Sequence, residues 1–409
     1  MDINVIRLRT ILDDREQEII KDNTNFLDEI NNELIDDDLF LKENAKNAQM
    51  SVIFVETGGS ETKFLPYFDS LQSPIILLSN GKNNSLPAAF EIKTYCHMHH
   101  KLAVVVTGDE SSCAKLITSL VRISLTKLQI DNNNLGVIGE PSEWLIASKV
   151  DYNDVKKIFN INMIDIPMEE LMLEIEKKDS GVVPHLSTLK KKWKNPEVLD
   201  GALYIYGALK RLVKKYKLDG LTIRCFDLLG KYKNTACLAL ALLNEEGITS
   251  ACEGDVPSLL TMHVLHALTG RPSFQANPSM INSKDNTVLF AHCTLPLNMV
   301  SKYELLTHFE SNLGIGIKGE MSSGPVTLCK LFINDKHNLD NSIVLSGTIK
   351  ENCSLTGYCR TQIKVELQDF DFVQLLNESF GNHVLITYGD VAESLYHLLV
   401  LLKFNGEQE

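Results

Sequence analysis

Three short apolar runs near the start of the chain, at residues 51–55 (SVIFV), 74–79 (PIILLS) and 102–106 (LAVVV), show no alternation of polar and apolar side chains. A strand that is apolar on both sides must be covered on both faces, which is the situation of a parallel strand between two layers of helices. Each run gives way to Gly, Asn or Ser, and residues 111–128 follow the third with a helical period, so residues 49–130 read as a small α/β layer. Upstream, residues 7–48 are polar with apolar side chains at helical spacing (Ile11, Ile19, Ile20, Phe26, Leu27, Ile30, Leu34), which predicts one or two amphipathic helices. Gly58, Gly59 and Gly81 stand where strand ends meet loops; they line a ligand crevice or simply supply turn geometry, and no GxGxxG or P-loop accompanies them.

A polar break at Asp131, Asn132, Asn133 and Asn134 opens a second α/β unit. Strands are expected at 135–141, 162–166 and 220–227, and helices at 152–159, 169–177, 199–215 and 235–244. After about residue 275 the pattern becomes all β, with runs at 287–292, 326–332, 343–346 and 361–367 separated by turn residues, then a strand at 383–389 and a helix at 391–402. The expected fold is therefore two Rossmann-like parallel-sheet α/β domains, residues 1–134 and 135–275, followed by an antiparallel β-barrel-like domain with a terminal helix, residues 276–409. A chain of 409 residues exceeds what a single core usually organises, which fits this division.

Charge narrows the function. The net charge is −13, and residues 1–47 carry 13 acids against 6 Lys and Arg, a surface that repels phosphate backbones, so nucleic acid is excluded as a partner. The short basic cluster Lys190, Lys191, Lys192 and Lys194 reads as a solvated helix face. The most apolar stretch, 395–404, is shorter than the roughly 20 residues of a membrane span and is interrupted by His397 and Lys403, so no membrane association is expected. The start of the chain has no apolar signal core, and nine cysteines without a CxxC pattern suggest reduced thiols, which points to the cytoplasm.

Chemistry concentrates in the second half. Glu253, in the run ACEGDVP at 251–257, precedes a helical stretch, His292 ends an apolar strand, and His383 follows the turn residues Gly381 and Asn382. An acid and imidazoles brought together from separate segments can bind a divalent ion. Each residue also has a plainer explanation. Glu253 can stabilise the helix dipole by about 0.3–1 kcal/mol. His292 can be a packed core residue, Asp255 is most simply the N-cap before Val256 and Pro257, and Cys252 and Cys293 can be small buried hydrophobes.

Residues 136–148 (GVIGEPSEWLIAS), 249–262 (TSACEGDVPSLLTM), the segment from Asn277 to Pro296 with its FAHC at 290–293, and 381–390 (GNHVLITYGD) resemble the L-fucose isomerase and L-arabinose isomerase superfamily. Residues 319–331 and 357–365 are similar to that family's carboxyl-terminal β domain. The resemblance implies an enzyme that interconverts an aldose and a ketose, a pentose or deoxyhexose, through an enediol, with manganese or magnesium held by two carboxylates and one or two histidines. It implies a homo-oligomer, trimer or hexamer, with a monosaccharide in a cleft that borders a neighbouring subunit. By this resemblance Glu253 matches the first carboxylate and His383 the carboxyl-terminal histidine, while His292 resembles a further site histidine. Asn277 stands where the second carboxylate belongs. The implied assignment is Glu253 and Asn277 as catalytic residues, His292 and His383 as substrate contacts, and Glu253, Asn277 and His383 as metal ligands.

An amide is neither anionic nor a useful base, and losing one general base typically costs about 10²–10⁴ in rate. Either Glu253 serves as both ligand and base, or an acid such as Asp285 or Glu320 supplies the proton acceptor. The competing expectation is a sugar-binding homologue that has lost catalysis. Arg360 and Lys318 are further candidates for contacts with the sugar.

Overall fold

The computed structural model describes residues 1–10, 14–34, 38–46, 48–368 and 381–406. They form two compact units, the described residues of 1–125 with 397–406, and those of 126–396.

The first unit is a five-stranded parallel sheet with spatial order β2-β1-β3-β4-β5, made of Asp2–Leu8 (β1), Phe40–Glu43 (β2), Ser51–Val55 (β3), Ile75–Leu78 (β4) and Ala103–Val106 (β5). The three non-alternating runs are β3, β4 and β5; β4 is buried at every position, while β5 forms one edge of the sheet. Of the one or two amphipathic helices expected within residues 7–48, one is present, Glu16–Leu34, which buries Ile19, Phe26, Leu27, Ile30 and Leu34, and strands flank it on either side. Strand β1 escapes a sequence reading because its apolar Ile3, Val5 and Leu8 are separated by polar residues with tertiary partners, such as Arg7, which pairs with the buried Glu56. Ile11 lies outside the described residues. Gly58, Gly59 and Gly81 follow the turn reading: the last two have φ of +72° and +75°, and a Cβ on Gly58 would sit 2.9 Å from that of Asn84.

The second unit contains a four-stranded parallel sheet, order β7-β6-β8-β9, from Asn134–Ile138 (β6), Asn162–Ile166 (β7), Gly220–Ile223 (β8) and Thr249–Cys252 (β9). Six antiparallel strands then close a barrel in the order β10-β11-β16-β15-β14-β17. These are Phe274–Asn282 (β10), Thr287–His292 (β11), Gly324–Lys330 (β14), Ile343–Asn352 (β15), Thr361–Leu367 (β16) and Val384–Tyr388 (β17). Strands Val300–Leu306 (β12) and Gly316–Met321 (β13) form a separate ribbon.

The fold is thus parallel-sheet α/β structure followed by a closed barrel and a terminal helix, Ala392–Gly406. Sheet and barrel of the second unit share one hydrophobic core, which runs from Ile138, Leu221 and the apolar helix Cys237–Glu245 to Phe290, Val326 and Ile386. Among the described residues no helix is long and apolar enough to cross a membrane.

Candidate active site

Four segments of the second unit meet at one end of the barrel. Strand β9 ends at Cys252, and the chain turns at Glu253 and Gly254, both with positive φ, 65° and 71°, before the helix Val256–Thr269 begins. A glutamate in the left-handed region is costly backbone geometry that persists only when surrounding structure enforces it. Here a Cβ on Gly254 would lie 2.6 Å from the carbonyl oxygen of Glu140, so the turn is held against the segment after β6. Asp255 caps the helix by accepting from the backbone N–H of Ser258, as expected. Strand β10 brings Asn277 opposite Ala291 of β11, whose last residue is His292, and β17 pairs with β10 from Val384, one residue after His383.

The result is a buried cluster in which donor atoms of Glu253, His292 and His383 all lie within 4.8 Å of one another. Oε1 of Glu253 is 3.4 Å from Nε2 of His383 and 3.8 Å from Nε2 of His292. Its Oε2 accepts a 2.7 Å hydrogen bond from the Trp144 indole. Burial alone would raise the carboxyl pKa of Glu253, but the two imidazoles outweigh it and hold the group well below the usual carboxylate range.

Behind the cluster lies a polar support that sequence reasoning missed. Nδ1 of His383 is 2.9 Å from Oδ2 of Asp255, the same oxygen that accepts a 2.8 Å bond from Nζ of Lys330. All three side chains are at most 1% exposed, and Lys330 also donates to Oγ of Ser258 at 2.6 Å. Burial works against the Asp255 charge, yet Lys330 and His383 keep its pKa well down. Asp255 is therefore a helix cap and also the orienting partner of His383. A lysine inside a strand of apolar residues was the available signal, since so buried an ammonium requires a carboxylate.

These bonds distinguish the two histidines. The Asp255 carboxylate accepts from Nδ1–H of His383, which leaves Nε2 directed to Glu253; that nitrogen is buried with no hydrogen-bond partner, and burial is outweighed by Asp255 and Glu253, which raise the ring's pKa. His292 is the reverse case: its Nδ1 accepts from the Thr294 backbone N–H at 3.1 Å, so the neutral ring carries its proton on Nε2. Burial, opposed by Glu253, keeps the His292 pKa below its ordinary value.

A cavity of about 510 Å³ opens on this cluster and is lined by Trp144, Phe226, Glu253, Asn277, His292, His308, Glu310 and Asn382, among others. Its volume falls in the range of small-molecule sites. The Nδ2 of Asn277 donates to the Asn382 carbonyl at 3.0 Å, which leaves its Oδ1 as the atom available to a cation or hydroxyl. Asp285 and Glu320 do not line the cavity: Asp285 accepts from the Thr287 hydroxyl and Glu320 pairs with Lys302 on the ribbon, which corrects their candidacy as proton acceptors. Glu310 is the carboxylate beside Glu253 in the lining, and no local pattern in the sequence marks it. Five cysteines also line the cavity, and all nine in the chain are free thiols.

One carboxylate oxygen and imidazole nitrogens suit a divalent transition ion, and the orphaned Nε2 of His383, held by a carboxylate on its far side, is the arrangement of a metal-ligating histidine. Such a group beside a small-molecule cavity, at the carboxyl end of a parallel sheet and the mouth of a barrel, defines a candidate metal-assisted enzyme. Over 307 residues the chain is 25% identical to the sulfoquinovose isomerase of Alkalicoccus urumqiensis, covering 70% of this chain and 67% of that protein. It is 22% identical over 407 residues to the sulfoquinovose isomerase of Priestia aryabhattai, covering 91% and 85% respectively, and 26% identical over 217 residues to that of Clostridium sp. (strain MSTE9), covering 51% and 48%. No protein-family model matches the chain.

Proposed function

We propose that this chain is a sugar isomerase that interconverts an aldose and its ketose, with sulfoquinovose as the first candidate substrate. The observation that carries the reading is the Glu253–His292–His383 cluster at the floor of the cavity, in a chain similar to isomerases along most of its length. Glu253 and His383 hold a divalent ion, manganese in the first instance, and Asn277 offers a neutral oxygen. When bound, the ion polarises the carbonyl and adjacent hydroxyl of the open-chain sugar and offsets the negative charge that develops on its oxygens.

The remaining chemistry falls to side chains. His292, with its proton on Nε2, donates to a sugar oxygen. Trp144 fixes the Glu253 carboxylate and closes one side of the cavity. Glu310 takes the proton from carbon 2 and returns it to carbon 1, because Asn277 has no basic atom. Glu310 is exposed at the cavity wall, and what desolvation it has, with Glu253 adding to it, raises its pKa and so strengthens it as a base. A purely sugar-binding role is not favoured, since Glu253, His292 and His383 converge and Asp255 supports the last of them.

The unpaired cysteines support a reducing, cytoplasmic setting. Trp144 and Ile146, 52% and 92% exposed beside the site, support cover from a second subunit of a homo-oligomer. The direct test is incubation with sulfoquinovose and a panel of neutral aldoses in D₂O with Mn²⁺. Ketose formation with deuterium incorporated next to the carbonyl is expected; neither product nor exchange with any aldose overturns the reading.

A further inference from the structure

A second hollow of about 350 Å³ adjoins the site cavity, and Phe309, Gly357, Tyr358 and Cys359 line both. Its distinctive lining residues are Lys318, on β13, and Arg360, just before β16. Both are partly buried, and among the described residues neither has a carboxylate partner. Arg360 is instead fixed through neutral atoms of a single residue. Its Nε donates to the Thr307 carbonyl at 2.6 Å and its Nη2 to the Thr307 hydroxyl at 3.0 Å, while the Phe309 ring lies 5.8 Å from the guanidinium carbon. Lys318 stands opposite Glu304 in the ribbon register but forms no ion pair with it.

The neighbouring cations behave otherwise. Lys302 pairs with Glu320 at 3.0 Å, Lys350 with Glu366 at 2.8 Å, and Lys364 with Glu351 at 2.7 Å. Two uncompensated cations lining one hollow form a pair that an anion would satisfy. A guanidinium already held in place and an unpaired ammonium are suited to a tetrahedral oxyanion, which accepts charge-assisted hydrogen bonds from both.

We propose that this annexe binds the anionic terminal group of the substrate, a sulfonate or a phosphate monoester, while the reacting end of the same sugar lies at Glu253, His292 and His383. The proposal rests on the isomerase reading and deepens it by assigning the residues that would hold the charged end of an aldose, at the carbon farthest from its carbonyl. Lys318 and Arg360 are specificity residues, acting on binding and not on proton transfer.

The test uses the full chain with glucose, 6-deoxy-6-sulfoglucose and glucose 6-phosphate. The expected result is a kcat/KM for a charged aldose at least about 10-fold above that for glucose, an advantage that shrinks as salt is added. K318Q should lower the charged-substrate value by about 10- to 100-fold, through KM, and the glucose value by a clearly smaller factor. Whichever of the sulfonated and phosphorylated sugars has the lower KM identifies the anion. R360K, which keeps the charge but loses the fork on Thr307, should give an intermediate loss.

Equal turnover of charged and neutral aldoses, or the same fractional loss for both in K318Q, overturns the annexe and leaves the isomerase reading standing. If no aldose is converted, the isomerase reading fails first. Calorimetric titration with the sulfonated sugar then decides the annexe separately: binding weakened in K318Q supports it, and absent or unchanged binding overturns it.

Discussion

Nδ1 of His383 and Oδ2 of Asp255 lie 2.9 Å apart in a fully buried contact, and that one bond decides which nitrogen of the ring faces Glu253. Partners of this kind typically carry 10–100-fold in metal affinity. Asp255→Asn should therefore weaken Mn²⁺ binding by about that factor. It should also destabilise the fold by about 3–5 kcal/mol, because Lys330 is left as a buried, unpaired charge. The double variant D255N/K330M removes that charge, so urea unfolding should recover most of the stability while metal titration shows no recovery of affinity.

The two site histidines should separate in function because their proton positions differ. His383→Leu removes the nitrogen next to Glu253 and should abolish tight divalent binding. His292→Phe keeps metal affinity within a few-fold but lowers kcat/KM by about 10²-fold through loss of the Nε2–H donor. Metal titration and kinetics on both variants check this, and the opposite pattern would exchange the roles of the two rings.

Asn277→Asp restores a carboxylate at the place where the resemblance expects one. Added ligand charge should tighten Mn²⁺ binding by about 10-fold or more. Turnover should fall, because the cavity already contains Glu310 as base and an extra anion opposes the charge developing on the sugar. Tighter metal binding with raised kcat would instead show that the natural site is the impaired one.

Most of this architecture was legible in the sequence, and the exceptions have physical causes. Non-alternating runs marked β3, β4 and β5, and period-two alternation marked β16, because burial on two faces or on one leaves a direct trace. Strand β1 was hidden since Arg7 and Asn4 place polar groups in it that only the folded chain can pair. Glu253, His292 and His383 were found as separate residues; their convergence depends on barrel register, which no local pattern encodes. Asp255 gave the signature of a helix cap, and that correct local explanation concealed its second task with His383 and Lys330. Glu310 left no trace, being set in the loop between β12 and β13 and brought to the cavity by tertiary structure alone.

Glu310→Gln keeps the size of the side chain and removes its basicity. With Glu310 as the proton carrier, kcat should fall by about 10²–10⁴ while Mn²⁺ affinity and KM change little. Washing-in of solvent deuterium should fall in step with kcat. A variant that retains full exchange would assign the proton transfer to another group, with Glu253 the first alternative.

His263, away from the site, sets a separate expectation for stability against pH. Its Nδ1 is 3.0 Å from the Thr249 hydroxyl and its Nε2 2.8 Å from Oδ1 of Asn133, so the neutral ring donates at one nitrogen and accepts at the other. Burial, with His266 adding to it, pushes its pKa down to about 4 from an ordinary 6.5. The unfolded chain then binds the proton more readily than the folded one between those values, so the neutral-ring contribution is complete above about pH 6.5 and is lost progressively toward pH 4. The full loss is about 3 kcal/mol from this group. His263→Gln, which can still donate to Asn133 and accept from Thr249, lacks the titration. Urea unfolding at pH 7.5 and at pH 4.5 should therefore show the wild type losing more stability on acidification than the variant, and equal losses in the two would exclude His263 as an acid-sensitive point of the fold.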